Sequence, residues 1–267
     1  MLDRTRVMGV LNVTPDSFSD GGRWLGKTAA VEHALAMQEA GADIIDVGGE
    51  STRPGALVVS LQQELDRVIP VIENLVSRLS VPLSIDTSKP AVMRAAVAAG
   101  AGMINDVSAL RQDGAMQAAA DLAVPVCLMH MLGNPRVMQN DPVYDDVVGE
   151  VAAFLRERAA LCENNGIARG NIVLDPGFGF GKTLQQNIAL FKALSDLKAI
   201  GYPLLVGVSR KSMLGQLTGR DTPDRLAASV TAAVLAAQMG AGIVRVHDVA
   251  ETCDALKVAT ALWQGWA

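Results

Sequence analysis

The sequence is short of the side chains on which most metal and redox chemistry is built. Three histidines are spread over 267 residues, with no HExxH and no pair at ligand spacing, which argues against a zinc hydrolase. The three cysteines, Cys127, Cys162 and Cys253, are odd in number, far apart and form no CxxC. Neither a disulfide framework nor a thiolate metal site is expected, and the usage fits a reducing, cytoplasmic setting. Basic clusters are missing as well: 23 Lys and Arg face 28 Asp and Glu, the net charge is -5, and no nucleic-acid partner is expected. Asp3, Arg4 and Arg6 interrupt the only stretch from which a leader could be made. The one uncharged run about long enough for a bilayer, Leu226 to Val244, is mostly alanine, carries Ser229, Thr231 and Gln238, and is broken by Gly240-Ala241-Gly242. A helix followed by a strand is expected there, and no membrane span.

What the chain does have is a large apolar fraction, 50%, arranged in a repeating pattern. Short apolar runs recur at Val7 to Asn12, Asp43 to Val47, Leu83 to Asp86, Met103 to Asp106, Val124 to His130, Ile172 to Asp175, Pro203 to Val208 and Ile243 to Val246. Between them lie stretches at helical spacing, such as Ala29 to Ala40, Leu61 to Leu79, Ala91 to Ala99, Tyr144 to Asn165 and Leu226 to Met239. Gly41, Gly100, Gly166 and Gly240 follow several of these, where a left-handed residue closes a helix. Near-continuous apolar strands alternating with helices imply a parallel sheet covered on both faces. Eight such units close most naturally into an α/β fold of the (β/α)8 TIM-barrel type, a single domain over 1–267 with no linker to divide it. A doubly wound open sheet is the structural rival.

Each strand empties into polar groups: Asn12; Asp46, with Thr52 and Arg53 beyond it; Asp86; Asn105 and Asp106; His130 after Met129; Asp175; Ser209, Arg210 and Lys211; Arg245 and His247. Taken singly, an acid at a strand end reads as a turn former or helix cap. Asp86 ahead of Pro90 reads as an N-cap, Asp106 as a turn or capping group, and His33 as a helix-surface residue. Capping does not account for two cations at the last strand ends facing carboxylates and amides from the earlier ones. In a barrel all these exits share one rim, where active sites of the fold lie.

Two loops stand out. GVLNVTPDSFSDGG, residues 9 to 22, leaves a buried strand for a polar, glycine-ended segment with one ring, Phe18, in its middle. PGFGFGKT, residues 176 to 183, approaches a phosphate loop, but Pro176 stands where the first glycine belongs and no second acidic motif is placed for a nucleotide magnesium. Its glycines are expected to let backbone pass close to a flat ligand, with Phe178 or Phe180 against it.

MGVLNVTPDSFSDGG (8 to 22), DVGGESTRPG (46 to 55), SIDTSKP (84 to 90), INDVS (104 to 108), LDPGFGFGKT (174 to 183), GVSRKS (207 to 212) and RVHDV (245 to 249) together resemble the dihydropteroate synthase family of pterin-binding enzymes, nearly end to end. The resemblance implies a transferase of folate biosynthesis and a sulfonamide target. Its reaction joins 6-hydroxymethyl-7,8-dihydropterin diphosphate to 4-aminobenzoate and releases diphosphate. It also implies that Asp86, Asn105, Met129, Asp175, Phe180, Gly207, Lys211 and Arg245 bind the pterin, with Asp86, Lys211 and Arg245 catalytic. The diphosphate falls to Asn12, Thr52, Arg245 and His247, with Mg2+ on Asn12. The 4-aminobenzoate falls to Phe18, Arg53, Pro54, Lys211 and Ser212 on and beside two lid loops. The partners so implied are these small molecules and a second copy in a homodimer.

The ligand chemistry suits those side chains. A carboxylate accepts from the paired N–H donors of a pterin, an amide reads its mixed edge, and a planar guanidinium lies along the ring. An aniline needs no strong base, and no triad is evident. Three alternatives compete. A methyltetrahydrofolate-dependent methyltransferase domain has no diphosphate to hold, so Arg245-x-His247 would lack a purpose. A non-catalytic pterin-binding homologue would keep the pocket without turnover. A phosphate-binding barrel of sugar metabolism leaves the acids around a flat site unexplained.

Overall fold

The structure is a computed structural model describing residues 4–14, 22–51, 58–133 and 142–264, with the backbone alone at 22–26 and 264. Eight strands alternate with helices. They are β1 (Arg6–Asn12), α1 (Gly22–Glu39), β2 (Ile44–Gly48), α2 (Leu61–Leu75), β3 (Leu83–Asp86), α3 (Pro90–Ala98), β4 (Met103–Asp106), α4 (Ala115–Leu122), β5 (Val126–Met129) and α5 (Val147–Asn164). Then come β6 (Ile172–Asp175), α6 (Leu184–Lys192), α7 (Leu194–Lys198), β7 (Leu205–Val206), α8 (Ser212–Thr218), α9 (Leu226–Gln238), β8 (Ile243–Val246) and α10 (Val249–Gln264).

All strand pairings are parallel and the order is β6-β5-β4-β3-β2-β1-β8-β7. A single bridge between Leu174 and Leu204, with Leu174 N donating to Pro203 O at 2.9 Å, joins the two ends and closes the barrel. The open-sheet rival is thereby set aside. Two strands are shorter than the apolar runs that announced them, β5 by its flanks and β7 to two residues. Pro125 and Pro203 have no N–H for the ladder, so pairing starts after each.

Helix starts follow local chemistry. Ser60 and Thr183 form capping boxes with Gln63 and Gln186, and Asp146 caps α5 through Val148 N. Helices end where expected: φ is 101°, 115°, 89° and 96° at Gly41, Gly100, Gly166 and Gly240. The uncharged stretch from Leu226 divides into α9 and β8, and no helix among the described residues is long and apolar enough to cross a membrane.

Two cores result from the strand period of two. Outward residues such as Val7, Ile45, Ile85, Ile104, Leu128, Leu174 and Val244 pack against the helices. Inward residues Met8, Ile44, Met103, Cys127, Val173, Leu205 and Ile243 form a separate plug inside the barrel. Among the described cysteines none is paired, and all three are buried.

Candidate active site

The site follows from counting two residues beyond that plug. From Ile44, Met103, Cys127, Val173, Leu205 and Ile243 the next inward positions are Asp46, Asn105, Met129, Asp175, Gly207 and Arg245, and from the buried Ser84 it is Asp86. Six of these seven are expected pterin residues, and the same alternation puts them all on the inner face. A further two along β1 and past β8 come Asn12 and His247.

Arg245 spans the floor. Its Nε donates to Asp46 Oδ2 at 2.7 Å and its Nη2 to Asp86 Oδ2 at 2.8 Å, while Asn105 Nδ2 donates to the same Asp46 oxygen at 2.9 Å. Asp175 Oδ1 accepts from Gly177 N at 2.7 Å and feels the charges of Lys211 and Arg245. Lys211 donates to Phe178 O at 2.5 Å and stands 4.6 Å from the centre of the Phe180 ring, which packs with Met129 and Met131. A Cβ on Gly48 would come 3.7 Å from both Asn12 Oδ1 and Asp86 Oδ2, so the Asn12 amide reaches in beside that carboxylate. His247 Nδ1 lies 3.0 Å from Ser209 Oγ at the rim.

Crowding of charge in a buried floor shifts its titration. Burial pushes the Asp86 carboxyl up to about 7 against the pull of Arg245, and raises Asp175 against Lys211. Burial lowers Lys211 to about 8, against the attraction of Asp175. For Arg245 burial opposes the charge, yet Asp46 and Asp86 hold it above its ordinary value. Three carboxylates over two cations leave the floor suited to positive charge arising in a ligand.

Two sequence readings need correction. Asp86 is no helix cap: Lys89 occupies the N-cap of α3 with no side-chain cap bond, and Asp86 turns inward to Arg245. Phe178 is no ligand-facing ring; it is fully buried in the outer core against Phe191, which leaves Phe180 alone on the inside. Asp106 does cap a turn, accepting from Ser108 N and Leu110 N at 2.7 Å each, and His33 is exposed on α1. Asp46 is a member the strand-exit reading noted and gave no role. Ser212 opens α8 next to Lys211 and is exposed. Phe18, Thr52, Arg53 and Pro54 lie outside the described residues. Glu50 Oε1 accepts from Val59 N at 3.1 Å and its Oε2 pairs with Lys89, which also holds the buried Glu64 at 2.5 Å.

A closed barrel that gathers acids, an amide and two cations on the inner face at its C-terminal rim has the build of a barrel enzyme's active site. The model of the pterin-binding enzyme family matches residues 8–247. The dihydropteroate synthase of Escherichia coli strain K12 is 54% identical over 260 residues, covering 97% of this chain and 92% of that protein. Among solved structures, Xanthomonas albilineans dihydropteroate synthase with 4-aminobenzoic acid is 57% identical with a TM-score of 0.94, covering 99% of this chain and 95% of that one. The Xanthomonas albilineans enzyme in complex with 7,8-dihydropteroate is 54% identical with a TM-score of 0.91, covering 100% and 96%. The chain belongs to the pterin-binding enzymes, within their dihydropteroate synthase family.

Proposed function

We infer that the protein condenses 6-hydroxymethyl-7,8-dihydropterin diphosphate with 4-aminobenzoate to give 7,8-dihydropteroate and diphosphate. The observation that carries the assignment of roles is the Arg245 guanidinium laid between Asp46 and Asp86, with Asn105, Asp175 and Lys211 around it on one inner face.

Asp175 accepts the paired pterin N–H donors, Asn105 reads the neighbouring edge, and Lys211 donates to the ring carbonyl. Met129, Gly207 and Phe180 supply the flat apolar walls, and Arg245 lies along the ring. As the carbon–oxygen bond to the diphosphate breaks, positive charge spreads from the methylene into the ring, and Asp86 faces the ring N–H to stabilise it. The diphosphate leaves between Arg245, His247 and Thr52. The amine of 4-aminobenzoate, held by Phe18, Arg53, Pro54, Lys211 and Ser212, attacks the methylene and gives up one proton. Orientation and charge neutralisation carry the acceleration.

Mg2+ belongs on Asn12 in this reading. Its support is the reach of the Asn12 amide to the mouth beside Asp86. Among the described residues no three His, Cys, Asp or Glu side chains could hold a metal by themselves. Water and substrate oxygens would complete the shell, as the ion prefers, and when bound it supplies counter-charge to the departing diphosphate. A homodimer in the cytoplasm completes the proposal. In its support, α9 packs against both α8 and α10, and the three helices expose Leu217, Leu235, Val258, Leu262 and Trp263.

Mixing both substrates with Mg2+ tests the reaction: diphosphate is released only when both are present. Pterin binding without release would mark a non-catalytic homologue, and release without 4-aminobenzoate would mark a hydrolase.

A further inference from the structure

The segment that looks in sequence like a phosphate loop is built the other way round. A phosphate loop turns amide N–H groups toward an anion. Here carbonyl oxygens meet side-chain donors. Gly177 O and Phe180 O accept from Lys182 Nζ at 2.9 and 3.2 Å, Phe178 O accepts from Lys211 at 2.5 Å, and Gly181 O accepts from the Tyr144 hydroxyl at 3.0 Å. The amides find acceptors inside the protein, Gly177 N at Asp175 and Gly179 N at Asn187 Oδ1. The third neighbour of Lys182 Nζ is His130 Nδ1 at 3.0 Å. Two of the three N–H donors of a protonated Lys182 go to the Gly177 and Phe180 carbonyls, and the third faces His130 Nδ1, which accepts when the ring proton sits on Nε2.

Lys182 is 3% exposed, and its three polar neighbours offset the cost of burying it. Burial pulls Lys182 down to about 7, against the attraction of Asp175, and His130 to about 3. Yet neither lies on the inner face with Asp86 and Asn105, and the reaction as derived uses neither.

We propose that Lys182, backed by His130, is a positioning residue for pterin binding: by tying Gly177 O to Phe180 O it holds the loop so that Phe178 O fixes the Lys211 ammonium and the Phe180 ring lies under it. The proposal rests on Lys211 being a pterin-binding group. Its reach is limited to one side of the cavity, because the loop packs against Met129, Met131 and Asp175 at β5 and β6, whereas the two lid loops follow β1 and β2. Loosening it therefore weakens the pterin, which meets Lys211 and the Phe180 ring together, more than 4-aminobenzoate, which shares only Lys211 with it.

The test is steady-state kinetics of Lys182→Met, an apolar side chain of similar length, with each substrate varied in turn and thermal unfolding followed in parallel. The KM for the pterin diphosphate rises about ten-fold or more while that for 4-aminobenzoate, which shares Lys211 but not the Phe180 wall, rises by no more than about three-fold, as expected for losing buried hydrogen bonds that bear mainly on the pterin. Tyr144→Phe, which removes the half-buried hydroxyl that donates to Gly181 O of the same loop, shifts the pterin KM the same way by roughly two- to three-fold, and decides whether the loop's hold matters if Lys182→Met does not fold. Parallel changes in both KM values, or a pterin KM that stays put in folded variants, would overturn the proposal. Wild type run alongside separates the two readings: without its turnover the synthase assignment fails first.

Discussion

Asp46 sets the direction of the other floor residues. One of its oxygens receives both Arg245 Nε and Asn105 Nδ2, and the other has no partner among the described residues. Asp46→Asn keeps the shape and removes the charge that holds Arg245 across the cavity. The pterin diphosphate KM is expected to rise roughly ten- to hundred-fold, the range for weakening buried charged hydrogen bonds, with far-UV circular dichroism unchanged. The strand-exit pattern made Asp46 visible without giving it work, because a capping acid and an anchoring acid look alike in a single strand. Counting by twos from Ile44 separates them, but only once the inner face is known. Asp86 was open to both readings for the same reason. Its titration gives a second expectation. In the proposed roles Asp86 acts as the carboxylate, which is lost as pH falls below about 7, and Lys211 as the ammonium, which is lost as pH rises above about 8. kcat/KM for the pterin diphosphate should be a narrow bell in that interval, reporting the free enzyme. Asp86→Asn lowers the rate and flattens the acid limb; an acid limb that persists in the variant would assign that limb to another group.

At the scale of elements, period and punctuation did most of the work. Six strand runs were readable to within a residue because β-branched and leucine side chains alternate between two buried faces, and helix ends were readable because glycine reaches positive φ without strain. The two that were overrun, β5 and β7, begin after prolines, and a missing N–H does not show in a hydropathy pattern. The loop after β6 was legible as glycine-rich but not in its purpose, since spacing alone does not say whether amides or carbonyls face inward. Gly177 shows how firmly that loop is set. Its φ is 69°, and a Cβ there would lie 1.9 Å from the His130 carbonyl oxygen. Gly177→Ala is expected to cost on the order of 3 kcal/mol or more, combining a left-handed backbone with a clash against main chain that cannot rotate away. In a chain of this length that corresponds to a fall in Tm of roughly 6–12 °C by calorimetry, and a variant as stable as wild type would show that the loop yields. Arg210 is a second enforced position: at φ 57° its N–H meets Ser229 Oγ at 2.9 Å, its carbonyl accepts from Arg225 at 2.9 Å and its side chain pairs with Asp248. Those three partners hold the turn from which Lys211 enters the cavity.

The molecule as a whole is a ring of eight strands closed unequally. β1 joins β2 and β8 over five and four register pairs, whereas β7 meets β8 over two and β6 through the single Leu174–Leu204 bridge. The eight apolar runs made the ring predictable in sequence, but its weak point was not, because Pro203 hides inside a run that reads as six residues. The seam sits beside chemistry: β6 ends in Asp175, and β7 leads through Gly207 to Lys211. A shorter ladder with fewer buried hydrogen bonds opens at lower free energy than the rest of the sheet. Native-state hydrogen exchange should therefore find the lowest strand protection at Leu205 and Val206 and the highest at Val10, Leu11 and Ile45. A bound pterin, touching Asp175 from one side of the seam and Lys211 from the other, would hold the two sides together. Protection at Leu205 and Val206 should then rise on adding 6-hydroxymethyl-7,8-dihydropterin diphosphate by more than at Leu11 or Ile45. An equal rise across all eight strands would mean that the barrel opens as one unit and that the short ladder is no local weakness.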